Sequence, residues 1–107
     1  MKKEILAVAG LSLFASLASA NVCETKAIHA AVEQAQTDRE ESVIESPAAH
    51  IVSRELKYGR MVTVYDVSVL HCSPEDLDEC GSLSYGVVVV GNEPTCKVVR
   101  IEMTGEE

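Results

Sequence analysis

The chain predicts an α+β fold, with one N-terminal helix packed on a four-stranded antiparallel meander. Three observations carry this prediction. An apolar stripe of helical period occupies Val22 to Arg39. Four strand-like segments follow, separated by short turn signals. Finally, a helix of about 17 residues spans roughly 25 Å, as do strands of seven or eight residues, so the two layers match in length. Helix first and strands afterwards, with short connections, is the pattern of a helix laid across a consecutive antiparallel sheet.

Before the helix, residues 1 to 20 read as a cleaved secretory signal. Lys2 and Lys3 give a basic start, Ile5 to Leu17 is an apolar run, and Ala18-Ser19-Ala20 is a small-residue cleavage site. The run is shorter than the roughly 20 apolar residues a membrane span needs. Lipid attachment at Cys23 is not expected, because Asn21-Val22 precede it where small residues are required. The expected destination is the periplasm or the exterior, and residues 21–107 form one small domain. Removing Lys2, Lys3 and Glu4 from 9 basic and 17 acidic side chains leaves 7 and 16, a net charge of −9. An acidic domain of this kind does not predict nucleic acid or an anionic membrane as partner. It also lacks Trp, so its core must be Val, Ile, Leu, Ala and Tyr, and a core that small benefits from covalent staples.

In order, Asn21 to Glu24 has the N-x-x-E spacing of a capping box. Ile28, Ala31, Val32 and Ala35 then form one apolar stripe, with small alanines that permit close approach to a sheet. Off the stripe, His29 reads as a surface residue. Thr37 to Pro47 is an acidic connection. Ala49 to Tyr58 alternates as a half-exposed first strand, and Tyr58-Gly59-Arg60 is its turn. Met61 to Cys72 is the strongest strand signal, rich in Val, Thr and Tyr. Val62 and Val64 fall on one face of it and Val67 and Val69 on the other. A bulge near Tyr65-Asp66 would bring both pairs to one core.

Ser73-Pro74-Glu75-Asp76 has the residue types of a helix start, with Gly81 placed to end a single helical turn. Leu83 to Val90 is an apolar third strand, expected in the interior of the sheet, Gly91 to Thr95 a hairpin loop, and Cys96 to Thr104 the last strand. Val99, Ile101 and Met103 are expected on the core face of that strand. Gly105 to Glu107 reads as a frayed acidic tail.

Four cysteines in a small exported chain imply two disulfides. The meander selects among the three pairings. The second strand ends at Cys72 where the third begins after Cys80, and the helix starts at Cys23 at the end where the fourth strand begins at Cys96. The expected bonds are therefore Cys72 with Cys80 and Cys23 with Cys96. Cys96 has the opposite parity to Val99 and Ile101, so it must sit in the turn or at a local irregularity.

The alternative is a thiol or metal-binding periplasmic protein that uses His71, Cys72 and Cys80. Against it, no C-x-x-C or H-x-x-x-H spacing exists, and adjacent strand residues point to opposite faces. Asp76-x-Asp78 with Gly81 matches the start of a calcium loop, but Val87 stands where its final Glu belongs. A small hydrolase is the further alternative, without a G-x-S-x-G or comparable signature to support it. No catalytic, cofactor or metal residue is assigned. The primary expectation is a non-catalytic binding domain that meets a protein or peptide at a sheet edge or the loops, and the Val87 to Val90 run would invite strand addition if it lay at an exposed edge.

In element order, a helix followed by a curved antiparallel sheet resembles the cystatin-like fold, which includes cysteine-protease inhibitors and small bacterial periplasmic domains. The inhibitors' Q-x-V-x-G loop is absent, since the first hairpin reads Tyr58-Gly59-Arg60, and a Pro-Trp loop is impossible without Trp. The resemblance therefore implies architecture and carries no activity.

Overall fold

A computed structural model describes residues 22–107. The expected signal segment and the Asn21 end of the capping box lie outside the described residues. Helix α1 (Val22–Asp38) is followed by β1 (Val43–Lys57), β2 (Arg60–Cys72), β3 (Cys80–Val90) and β4 (Lys97–Glu106). The strands form one antiparallel sheet in the order β1-β2-β3-β4, and α1 crosses all four.

The helix buries Cys23, Ala27, Ala31 and Ala35, an i, i+4 row one position round from the predicted stripe. Ile28 and Val32 pack at its margin. With alanine methyl groups at the centre of the contact, the bulk of the core comes from the strands. Thr63, Tyr65, Val67 and Val69 of β2 and Leu83, Tyr85, Val87 and Val89 of β3 are buried beneath it. Each fully buried Val or Leu contributes roughly 1.5–3 kcal/mol relative to exposure.

The expected bulge in β2 is absent. β2 and β3 pair without interruption from Val62↔Val90 to Cys72↔Cys80. One phase therefore holds throughout, with Thr63 and Tyr65 on the core face and Val62 and Val64 on the other. Those two valines are half-buried by their cross-strand mates Val90 and Val88 instead of by the helix.

The irregularities lie in the outer strands. β1 shifts register between Glu45 and Ala48 and between Ile51 and Ser53. Opposite β3, β4 shifts around Val99 and Thr104. The shift at Val99 resolves the parity of Cys96: Val98 pairs Val89 and Ile101 pairs Val87, so both share the core face, while Val99 is extruded and 59% exposed. Val98 thus takes the core position expected for Val99.

Three local expectations also change. β1 begins at Val43, six residues earlier than its alternation suggested, because Ser46 takes a left-handed φ of 53° and Pro47 is accommodated within a bulge. The Cys72 to Cys80 connection is two successive turns instead of a helical turn, closed by Asp76 N–H to Ser73 O and Glu79 N–H to Asp76 O. Side chains reinforce both turns, as Ser73 Oγ accepts from Glu75 N–H and Asp76 Oδ1 from Asp78 N–H, and such local bonds compete with helix. Gly81 lies within β3 opposite His71, and a Cβ there would stand 2.4 Å from Glu107 O and 2.6 Å from His71 Nε2. The chain end is held: Glu107 and Ser82 exchange backbone hydrogen bonds of 2.8 and 3.0 Å.

The first hairpin is a two-residue turn in which Tyr58 and Gly59 have φ of 52° and 78° between the paired Lys57 and Arg60, the left-handed geometry that matches strand twist. Disulfides join Cys23 to Cys96 and Cys72 to Cys80, one at each end of the molecule. Two such bonds are the chemistry of an oxidising compartment. No described helix is long and apolar enough to cross a membrane.

Candidate functional site

The cysteines come first. Cys72 and Cys80 are bonded to each other directly across the β2–β3 pair, so neither offers a thiolate. His71 faces the opposite side of the sheet from Cys72, and its buried Nε2 has no hydrogen-bond partner among the described residues. Among the described residues no three His, Cys, Asp or Glu side chains converge as metal ligands. The fold therefore does not assemble His71, Cys72 and Cys80 into a site. Asp66 is half-buried beside β1, 3.7 Å from His50 Nε2. His29 is exposed and sits 3.0 Å from Glu33 one helical turn on.

Polar pairs tie the helix to the sheet. At the helix start, both carboxylate oxygens of Glu93 accept from Cys23 N–H at 3.1 and 3.2 Å. This cap comes from the β3–β4 loop, 70 residues away, and no local pattern announces it. Near the helix end, Tyr85 donates to Asp38 Oδ2 at 2.8 Å. Burial first, and then the adjacent Asp38 carboxylate, push the Tyr85 hydroxyl far above the usual tyrosine range. Tyr65 is also raised, chiefly by burial, with the Arg54 guanidinium opposing. Arg54, Tyr65, Thr63 and Glu93 line a hollow of about 120 Å³ beneath the helix start. It is too small for more than a few waters.

The larger unassigned surface is the sheet face that the helix leaves open. Cross-strand pairs share a face, so Val62, Val64, Val88 and Val90 form one contiguous patch on it. The pairing also sets Lys97 beside Val90, Arg100 beside Val88, and Lys57 beside Arg60, one pair further along. Four of the 7 basic side chains in residues 21–107 thus rim four valines. Lys57 is paired with Glu55 at 3.3 Å and Arg100 with Glu102 at 2.8 Å. Arg60 and Lys97 have no carboxylate partner among the described residues. Together with Val90, Gly91, Thr95 and Val99 they line a shallow hollow of about 350 Å³.

Charge is divided along the strands. The end that carries this patch also holds Lys26 and Arg54, leaving Arg39 as the single basic residue at the other end among the described residues. That other end holds Glu75, Asp76, Asp78 and Glu79 in the Cys72–Cys80 loop and Glu106 and Glu107 after β4. Sequence reasoning missed the patch because it assigned Val62 and Val64 to the core and treated charge as a total. Its one visible signal was the double phase of valines in β2.

The Val87 to Val90 run does not lie at an edge, since β3 is paired on both sides. No family model matches the chain, and neither known proteins nor solved structures give a significant match.

Proposed function

We propose that this chain is an exported, disulfide-stapled, non-catalytic binding domain that engages a protein or peptide through the helix-free face of its sheet. The observation that carries the reading is the Val62, Val64, Val88 and Val90 patch rimmed by Lys57, Arg60, Lys97 and Arg100 on a chain of net charge −8. Branched aliphatic side chains that the fold leaves half-buried are a surface a partner can dry, and a cationic rim orients that partner. The edges are less suited to this role. β1 and β4 both carry bulges, a device that blunts outer strands against strand addition, so the contact moves from edge to face.

Selection of displayed random peptides on the immobilised, disulfide-intact protein tests this reading. Enriched sequences should combine acidic and aliphatic residues, and Arg60→Glu with Lys97→Glu should abolish their retention. No enrichment, or enrichment indifferent to these substitutions, would remove the face as the binding surface.

A further inference from the structure

The patch and its electrostatic complement lie at opposite ends of the same molecule. The acidic loop between Cys72 and Cys80 has an aliphatic side chain at its centre, Leu77, 56% exposed and flanked by Asp76 and Asp78. Cys72 and Cys80 continue the row of Leu70 and Ser82 on the helix-free face, and Leu77 O lies 3.1 Å from Cys80 Sγ. The loop therefore borders that face at its far end. Leu70, 37% exposed, is its aliphatic neighbour on the sheet.

We propose that the occupant of the helix-free face is a second copy of this chain, stacked face to face about a two-fold axis perpendicular to the strands. The proposal rests on the binding reading above and names its partner. Such an axis reverses strand direction, so the cationic valine end of each copy meets the acidic Leu70 and Leu77 end of the other, and both contacts form twice. The axis passes over Gly86, Ser68 and Ser84, whose small side chains allow the sheets to approach the roughly 10 Å of stacked sheets, while the Asp66 carboxylate in the same row stays 3.7 Å from His50 Nε2 of its own copy. From the Val62↔Val90 pair to the Cys72↔Cys80 pair is ten residues, or roughly 33 Å, and four strands are roughly 19 Å wide, giving on the order of 600 Å² per copy. That is the lower end of a specific interface, so the dimer is reversible. A stack in the other sense, with like ends together, would set Arg60 and Lys97 against their own copies.

Sedimentation equilibrium and light scattering on the oxidised protein at low ionic strength test the proposal. A monomer–dimer equilibrium is expected whose dissociation constant rises at least tenfold as salt screens the rim pairs. Arg60→Glu with Lys97→Glu should leave the first variant monomeric, and Asp76→Lys with Asp78→Lys should do the same for a second. All four positions are exposed surface, and circular dichroism checks that both variants fold. An equimolar mixture of the two should dimerise, because the altered face of one variant then meets the altered loop of the other, and native face meets native loop at the second contact. A monomer at millimolar concentration, a reversed variant that dimerises like the parent, or a mixture that stays monomeric would each overturn self-association. Peptide enrichment on the same face would survive that result and leave the binding reading standing, whereas loss of both enrichment and dimer would overturn the face as a binding surface.

Discussion

β2 and β3 supply both faces of this sheet from alternating residues, and the two faces solve different problems. Beneath the helix, Val67, Val69, Leu83, Tyr85, Val87 and Val89 are at most 1% exposed, and the Tyr85 hydroxyl is bonded to Asp38. On the open face, Val62, Val64, Val88 and Val90 are as aliphatic as the core but only half-buried, sheltered by each other and flanked by Glu55 and Ser53 of β1 and Lys97 and Arg100 of β4. Equal composition with unequal burial teaches that hydrophobicity in these strands does two jobs. One row holds the domain together, and the other is the face we propose for a partner.

The largest effect that would sharpen the comparison comes from the staples that fix the helix over one face. Serine at Cys23 and Cys96 opens a loop of 73 residues and should cost about 4 kcal/mol by the chain-entropy relation, read as the shift in urea midpoint. The Cys72–Cys80 pair closes only 8 residues and should cost about 2.5 kcal/mol on the same scale. Equal losses would mean that the helix is not anchored mainly through Cys23.

Next, truncation should separate the faces. Leu83→Ala removes a fully buried side chain and should cost about 3 kcal/mol, whereas Val88→Ala on the open face should cost under about 1 kcal/mol. Comparable losses, measured by denaturant titration, would break the distinction.

Tyr85→Phe should cost about 1.5 kcal/mol, since it deletes a bond to a carboxylate beneath the helix. It also changes the alkaline limb. Tyr85 ionises in the fold far above its ordinary range, so the parent keeps the full contribution below about pH 10, the unfolded value, and loses it as pH rises beyond. The variant should show a shallower decline above about pH 10; an unchanged slope would mean that the hydroxyl is not held in its neutral form. Smallest of all, Glu93→Gln weakens the carboxylate at the helix start and should cost about 0.5–1 kcal/mol, seen as a lower thermal midpoint.

Much of the architecture was legible in the residues. The helical period of Ile28 to Ala35, the strand composition of Met61 to Cys72 and the Gly91 to Thr95 turn signal are short-range properties, and each is found within a residue or two of its expected position. The Cys23–Cys96 and Cys72–Cys80 bonds were open to argument for the same reason, because element order fixes which ends meet. The helical turn proposed for Ser73 to Gly81 went wrong because the same Ser and Asp side chains cap helices and close turns equally well.

The candidate surface was not legible. A period of two says which residues share a face, never which face the helix will cover, so Val62 and Val64 could be brought to the core only by inventing a bulge in β2. The bulges were placed instead in β1 and β4, where a strand paired on one side can extrude Val52 or Val99 without breaking a second ladder. Likewise, the sequence determined a net charge, while tertiary structure decided that Arg60, reached from β2, and Lys97, reached from β4, would converge across β3. Local pattern fixes elements because its forces act within a few residues. Cross-strand register and charge placement are settled only when segments far apart in sequence are brought within a few ångströms.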